Sequence, residues 1–145
     1  LVAFGDIVLK RHLIQALLEE AGDGITLAVD SALAGRADTD RIVAHRADTG
    51  RFSFEPVQLR AIGETIVPAE AHGVWIGVMH LGREGARWLA EAIGEARSDG
   101  SLHTARLRDL LVRVLAAGHS VRVVYGRGGW VNVNDVAGLV DASGH

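Results

Sequence analysis

Ile25-Thr26-Leu27-Ala28-Val29-Asp30 is the part of the sequence that says most about the fold. It is a short, mostly apolar run, which is the pattern of a strand covered on both faces. A helical pattern ends at Gly22 and Gly24 just before it, and the run itself ends in a carboxylate. Ligands in open α/β sheets bind beyond the carboxyl ends of the strands, so Asp30 is a candidate to line such a crevice.

Outward from this strand, helical and extended patterns alternate. Leu9, Leu13 and Leu17 lie four apart and predict a helix over 7–21. Further strands are predicted at 41–45 and 52–62, both antiparallel and peripheral, and at 74–79 and 121–125. Further helices are predicted at 83–96, 104–117 and 136–141. We therefore predict an α/β fold, a three-layer sheet of mostly parallel strands with helices on both faces, in one domain over 1–145.

Composition narrows the class of protein. The 145 residues are 48% hydrophobic, which is enough for one core. The net charge of −3, with scattered Lys and Arg, disfavours nucleic acid as a partner. The absence of cysteine excludes thiolate chemistry and cysteine zinc sites. No apolar run approaches the roughly 18 residues of a membrane span, so we expect no membrane association and a cytoplasmic location.

Asp6 has two interpretations. Leu1-Val2-Ala3-Phe4 resembles the end of a buried strand, so Asp6 would project from the ligand-binding edge of the sheet. It also precedes the predicted helix, where Asp is among the best N-caps, and capping is the simpler interpretation. The sequence opens inside an element and without Met, so we expect that a segment of the native protein precedes Leu1.

A second oxygen-rich stretch lies near the other end of the chain, in Gly129-Trp130-Val131-Asn132-Val133-Asn134-Asp135. An extended backbone here would deliver the side chains of Asn132 and Asn134 to one face. Asn134 and Asp135 also precede the last predicted helix, so capping is again an alternative. Asp38-Thr39-Asp40 has the Asp-x-Asp spacing with which some sugar-transferring enzymes hold a divalent cation, although a solvated turn is the simpler interpretation.

Other chemistry-bearing residues are sparse. The seven histidines have no metal-ligand spacing, and only His72, beside the predicted strand at 74–79, is a candidate for binding. No phosphate loop and no serine-nucleophile motif is present. Arg11 lies near a helix start, which favours anions. Arg46, like Arg41 and Arg51, could pair with an anionic substrate.

Four blocks of the sequence resemble one family. They are Phe4-Gly5-Asp6-Ile7-Val8-Leu9-Lys10-Arg11, residues 25–30, His72-Gly73-Val74-Trp75-Ile76-Gly77 and residues 129–135. Together they are similar to nucleotidyltransferases of the MobA-like, nucleotide-diphospho-sugar transferase fold. The nearest resemblance is to the cytidylyltransferase domains associated with phosphoenolpyruvate mutase in phosphonate biosynthesis.

The resemblance implies transfer of a nucleotidyl group, cytidylyl from CTP, to a phosphonate or alcohol phosphate with release of pyrophosphate. It implies Mg²⁺ as cofactor, and no side chain is expected to act as an acid–base catalyst. The expected metal ligands are Asp6, Asn134 and Asp135. The expected substrate-binding residues are Arg11, Asp30, Arg46, His72, Trp75, Trp130 and Asn132.

The sequence also departs from this family. Val74 and Asn134 occupy positions where relatives often carry Glu and Asp, which predicts a lost substrate contact and a weaker metal site. The family's glycine-rich nucleotide loop belongs to an N-terminal segment that these residues do not include. We therefore expect that the 145 residues alone do not bind CTP productively. A fused or neighbouring mutase and a homo-oligomer stay open as partners.

Two other functions compete with nucleotidyl transfer. One is a nucleotide-sugar glycosyltransferase in which Asp38 and Asp40 hold the metal. The other is a non-catalytic α/β interaction module in which Asp6 and Asn134 only cap helices.

Overall fold

The computed structural model describes residues 1–34, 39–50 and 55–133. These residues form eight strands: β1 (Val2–Ala3), β2 (Ile7–Leu9), β3 (Ile25–Asp30), β4 (Arg41–Ala44), β5 (Val57–Gly63), β6 (Gly73–Leu81), β7 (Val121–Gly126) and β8 (Trp130–Asn132). They also form three α-helices: α1 (Arg11–Glu19), α2 (Arg83–Ser98) and α3 (Leu107–Ala116). The predicted strand residues 52–54 and the predicted helix at 136–141 lie outside the described residues.

Five of the strands close into a small mixed barrel. The order is β6-β3-β7-β5-β4, and β4 pairs back onto β6 through Arg41 opposite Val74. Within the described residues only β3 and β7 run parallel, and the other pairings are antiparallel. The predicted three-layer, mostly parallel α/β sheet is therefore wrong, because the molecule is a β-rich barrel fold with three helices.

β6 makes this closure possible because it is long enough to take two partners along one edge. β1 pairs near its carboxyl end, with Val2 opposite Met79, and β4 pairs at its start. The prediction that β4 and β5 are antiparallel strands is confirmed, because both pair with their neighbours in that sense. The prediction that they are peripheral is wrong, because both belong to the closed barrel. The hydrophobic pattern of a strand records its burial and not the direction of its neighbours, so the sequence could not distinguish an open sheet from a barrel.

Alternate residues of the central strands belong to two clusters. Ile25, Leu27 and Val29 lie in the larger one, which includes residues of α2 and α3. Ala28 belongs to a smaller cluster with Leu17 of α1, against which β2 and Trp130 pack. β3 is consequently buried along its whole length, as its apolar sequence predicts.

The predicted helix over 7–21 is shorter than expected. Residues 7–9 form β2, and α1 begins at Arg11 after Lys10, whose side chain makes no capping hydrogen bond. The predicted cores of α2, α3, β6 and β7 are confirmed. No helix of the described chain has the length and hydropathy to cross a lipid bilayer.

Candidate functional site

The end of β3 is tied to the turn between β7 and β8 by the Asp30 carboxylate. Asp30 is 3% exposed, and its Oδ1 accepts from the backbone N–H of Ala32 at 2.9 Å. Its Oδ2 accepts from the Gly128 N–H at 2.9 Å and from the Trp130 indole Nε1–H at 2.8 Å. Both oxygens are thus engaged by the protein, which explains how a carboxylate is tolerated at this depth. Substrate binding by Asp30 stays a prediction.

The turn that Asp30 holds requires two glycines. Gly128 and Gly129 have φ values of 65° and 79°, in the left-handed region that glycine adopts without a steric penalty. The Gly129 carbonyl accepts from the backbone N–H of Lys10 at 2.8 Å, and a Cβ at Gly129 would lie 3.1 Å from the His12 ring. The turn therefore joins the start of α1 to β8.

β2 and β8 form a two-stranded antiparallel ribbon that brings the two ends of the described chain together. Ile7 lies opposite Asn132, Val8 opposite Val131 and Leu9 opposite Trp130. The ribbon continues for one more hydrogen bond, because the Asp6 carbonyl accepts from the Val133 N–H at 2.7 Å. Asp6 and the stretch at 129–133 therefore meet, as the sequence blocks suggested.

The capping interpretation of Asp6 is wrong. The residue precedes a strand, its side chain is exposed, and the helix that follows has Lys10 at its N-cap position. Asn134 and Asp135, the two other predicted metal ligands, lie outside the described residues. In the part of the chain that the structure describes, no three His, Cys, Asp or Glu side chains form a group that could hold a metal ion.

A cavity of about 400 Å³ lies beside the ribbon. We call it the ribbon cavity, and its apolar and amide wall comprises Phe4, Ile7, Val74, Trp75, Trp130 and Asn132. The Phe4 and Trp75 rings pack with centroids 5.3 Å apart and planes tilted by 59°. One cavity is therefore lined by three predicted substrate-binding residues, Trp75, Trp130 and Asn132. Ile7, which directly follows Asp6, lines it as well.

A second wall of the ribbon cavity, the charged wall, comprises Asp40, Glu64, Arg106 and Arg108. The Arg108 guanidinium donates to Asp40 at 2.5 Å and forms an ion pair with Glu64, which also accepts from Arg106 at 2.8 Å. The hydrogen bond from Arg108 lowers the pKa of the Glu64 carboxyl, and these carboxylates raise the pKa of Arg108. Asp40 is thus held by an arginine, and nothing here favours it as a metal ligand for a glycosyltransferase. Asp38 lies outside the described residues.

The sequence offered little to predict this charged wall. Arg106 and Arg108 are two apart, a spacing that points side chains of a helix away from each other. Glu64 follows β5, far from both along the chain. Only the packing of α3 against β5 brings the three groups together.

The remaining predicted substrate-binding residues lie elsewhere. His72 lines a separate cavity of about 240 Å³ with Ser31, Asp48 and Arg127, and its Nδ1 accepts from the Ala44 N–H at 3.2 Å. Arg46 donates to the Glu55 carbonyl at 2.9 Å. Arg11 is exposed on the first turn of α1.

Asp48 was not predicted by sequence reasoning, yet it organises the cavity of His72. It accepts from the Ser31 hydroxyl at 2.7 Å, the Gly50 N–H at 2.8 Å and the Arg127 guanidinium at 3.1 Å. The hydrogen bond from Ser31, followed by that from Gly50, lowers the pKa of the Asp48 carboxyl. Asp48-Thr49-Gly50 is a local turn pattern visible in the sequence, but the pairing with Arg127 is not.

Comparison with known proteins gives a likeness of fold. No family model matches the sequence. No curated protein matches it either. The structure is similar to the crystal structure of a mannose-1-phosphate geranyltransferase from Thermus thermophilus, with a TM-score of 0.56 and 19% sequence identity. The match covers 97% of this chain and 48% of that one, so the chain spans about half the length of that transferase.

Proposed function

We propose that this chain is part of an enzyme that transfers a nucleotidyl group from a nucleoside triphosphate to a phosphonate or alcohol phosphate. An acceptor oxyanion attacks the α-phosphorus, a new P–O bond forms, the bond to the bridging oxygen breaks, and pyrophosphate leaves. The resemblance of the four sequence blocks to cytidylyltransferases implies CTP as the donor. The likeness of fold to a protein whose name includes a sugar phosphate supports a phosphate-bearing acceptor.

The observation that carries this proposal is the pairing of β2 with β8. It joins the Asp6 block to the Trp130 block through the 2.7 Å hydrogen bond between the Asp6 carbonyl and the Val133 N–H. The two blocks are thus adjacent, although they lie far apart along the chain. Both carry oxygen-bearing side chains. A magnesium ion that binds the substrate phosphates needs oxygen ligands from the protein. Oxygens from separate segments can reach one ion only if those segments lie close together.

The donor chemistry fits magnesium. Asp6, Asn134 and Asp135 would hold it, and carboxylate and amide oxygens are ligands that Mg²⁺ accepts. The Asp6 side chain is exposed and makes no hydrogen bond to a described residue. The hydrogen bond between Asp6 and the ribbon uses the backbone carbonyl of Asp6. When bound, the ion would neutralise negative charge on the phosphates.

The ribbon cavity suits the acceptor. Trp130 offers apolar surface for a short carbon chain, and Asn132 offers an amide. Trp75 lines the same cavity but is 3% exposed. Arg106 is exposed and belongs to the charged wall of the cavity, where it would attract an anionic headgroup. Binding of the acceptor would compete with the ion pair between Arg106 and Glu64.

The test is a titration of the 145-residue chain with Mn²⁺, followed by electron paramagnetic resonance, as a reporter of the magnesium site. Asp6→Asn should weaken Mn²⁺ binding at least tenfold, because the site loses a charged ligand. Glu19→Gln, which removes an exposed carboxylate from the end of α1, is the matched control and should bind as the unaltered chain does.

Equal Mn²⁺ affinity in the Asp6→Asn variant and the unaltered chain would contradict the proposal. Pyrophosphate release from CTP, with 2-hydroxyethylphosphonate, 2-aminoethylphosphonate and phosphocholine compared as acceptors, identifies the substrate in the protein that carries this chain. Micromolar affinity of the 145 residues alone for CTP would contradict the expectation that they do not bind it productively.

A further inference from the structure

Two imidazoles take the place of backbone acceptors at the carboxyl end of β4. The pairing of β4 with β6 ends at Ile42, and beyond it the Ala44 N–H donates to the Nδ1 of His72 at 3.2 Å. On the other side of β4, the Gln58 N–H of β5 donates to the Nδ1 of His45 at 2.9 Å. We call His45 and His72, with these two hydrogen bonds, the histidine clasp.

The histidine clasp lies at an irregular part of the sheet. The register of β4 against β5 shifts between Val43 and Ala44, so the backbone groups beyond the shift do not face each other as in a regular ladder. The main chain contributes one bond there, from the His45 N–H to the Gln58 carbonyl at 2.9 Å. The two imidazoles supply acceptors that a regular strand end would take from backbone carbonyls.

Both hydrogen bonds of the clasp require a neutral ring. A neutral imidazole carries a proton on one nitrogen and accepts at the other, so an accepting Nδ1 places the proton of each ring on Nε2. An imidazolium carries a proton on both nitrogens and accepts nothing. Protonation would therefore break the bond and set an N–H of the ring against the backbone N–H. Histidine is the side chain that ordinarily takes up a proton between about pH 8 and 5.

Protons from solvent can reach both rings of the clasp. His45 is exposed, and His72 is half-buried at the wall of the cavity of about 240 Å³. The charged and titratable groups that the structure describes around the clasp are Asp48 and Arg127 in that cavity, Glu70 before β6, Arg60 on β5, and Arg46, Glu55 and Tyr125 near His45. Asp48 pairs with Arg127 at 3.1 Å and Arg46 pairs with Glu55 at 3.9 Å, so these opposite charges offset one another.

We propose that the histidine clasp is an acid-sensitive switch in the barrel. While both rings are neutral, the clasp holds the end of β4 to β5 and to the segment before β6. Protonation of the rings releases this end, together with residues 45–50 that follow it. Asp48 lies in that segment and is bonded to Ser31 and Arg127, so the release also loosens the cavity that these residues share.

The first test is hydrogen exchange of single amides, measured by nuclear magnetic resonance on the 145-residue chain at a series of pH values from about 8 to 5. Protection factors are used, because they correct for the intrinsic pH dependence of exchange. The Ala44 and Gln58 amides should lose about tenfold or more of their protection as the pH falls, since each loses its acceptor. The Leu27 amide of β3 is the internal control and should stay protected, because the opening is local.

Asparagine variants separate the acceptor from its titration. The side-chain oxygen of asparagine can accept in the position of Nδ1, but the amide takes up no proton in this pH range. In His72→Asn the Ala44 amide should stay protected throughout, and in His45→Asn the Gln58 amide should do so. His103→Asn, which alters an exposed histidine before α3, is the matched control and should keep the pH dependence of the unaltered chain.

The nitrogen resonances of the imidazoles give a second test. At about pH 8 both rings should carry their proton on Nε2, and a proton on Nδ1 of either ring would overturn the proposal. Protection at Ala44 and Gln58 that does not change with pH would also overturn it, as would an asparagine variant that keeps the pH dependence at its own amide. An equal loss of protection at Leu27 would contradict it as well, because acid would then unfold the whole barrel instead of releasing β4.

Discussion

Asp30 of β3 and Tyr125 of β7, which lies opposite Val29, each make contacts that the sequence alone does not reveal. The Asp30 carboxylate accepts from three N–H groups and so fixes the turn that carries Trp130. Hydrogen bonds to a charged acceptor contribute about 1.5–3 kcal/mol each, which offsets the cost of burying the charge. Tyr125 donates its hydroxyl to the Arg46 carbonyl at 2.9 Å and holds the loop after β4.

The ionisation of Tyr125 gives a prediction at this scale. Burial, reinforced by the nearby Asp48 charge and opposed by Arg46, raises the pKa of Tyr125 from 10.0 to about 12. Because the folded pKa lies above the unfolded one, the contribution to stability is complete below pH 10.0 and is lost as the pH rises towards about 12. Tyr125 is the chain's single tyrosine, so phenolate absorbance near 295 nm reports it directly.

Two controls accompany that titration. The urea-unfolded chain should titrate near the ordinary value of about 10. Tyr125→Phe should show no phenolate absorbance and should lose less stability across the same pH range. A folded-state midpoint equal to that of the unfolded chain would contradict the burial of this hydroxyl.

At the scale of elements, β6 is bent by a glycine that the sequence pattern treats as an ordinary strand residue. Gly77 has a φ of 77°, and the register of β6 against β3 shifts between Leu27 and Val29. The Trp75 indole donates to the Val78 carbonyl at 3.0 Å across the bend, and the Phe4 N–H donates to the Gly77 carbonyl at 3.0 Å. The bend thus places the Phe4 ring next to the Trp75 ring at the ribbon cavity.

Gly77→Ala should destabilise the protein by about 2–4 kcal/mol. An alanine there must adopt a left-handed conformation, and its Cβ would overlap the Phe4 ring. Gly94→Ala is the matched control, because Gly94 lies inside α2 with open space around it, and alanine should stabilise the helix by about 0.5–1 kcal/mol. Urea unfolding measures both, and equal stabilities for the two variants would show that β6 is not bent at Gly77.

The first helix was predicted too long because residues 7–9 form a strand that overlaps the helical pattern. Ile7 and Leu9 are partly buried while Val8 is exposed, which is the alternation of a strand. Leu9, Leu13 and Leu17 also satisfy the four-residue spacing of a helix, so Leu9 fits both patterns. Residues 7–9 form a strand because they pair with β8, and the local sequence does not encode this pairing.

For the whole molecule, the decisive contact is the ribbon that joins the two ends of the described chain. Because the chain contains no cysteine, Val8→Cys with Val131→Cys introduces one defined pair at directly opposed positions. We expect an intramolecular disulfide that raises the free energy of unfolding by about 4–5 kcal/mol, since it closes a loop of nearly the whole chain. Urea unfolding with and without reductant measures this difference.

The control for that prediction moves one cysteine away from the ribbon. Val8→Cys with Val112→Cys uses an exposed valine of α3 that is not paired with β2. It should give no monomeric cross-linked species on a non-reducing gel. Failure of the Val8 and Val131 pair to cross-link would remove the contact on which the proposed function depends.

Local patterns were enough to locate most strands and helices, because burial periodicity and glycine breaks are properties of β3, β6, α2 and α3 taken one at a time. The suggestion that the Asp6 and Trp130 blocks belong together came instead from their oxygen side chains and from the resemblance of both to one family. The barrel, the ribbon, and the pairing of Arg108 with Asp40 and Glu64 became visible only in three dimensions. These features depend on strand direction and on contacts between residues distant along the chain, and a local pattern records that a side chain is buried but not what it is buried against.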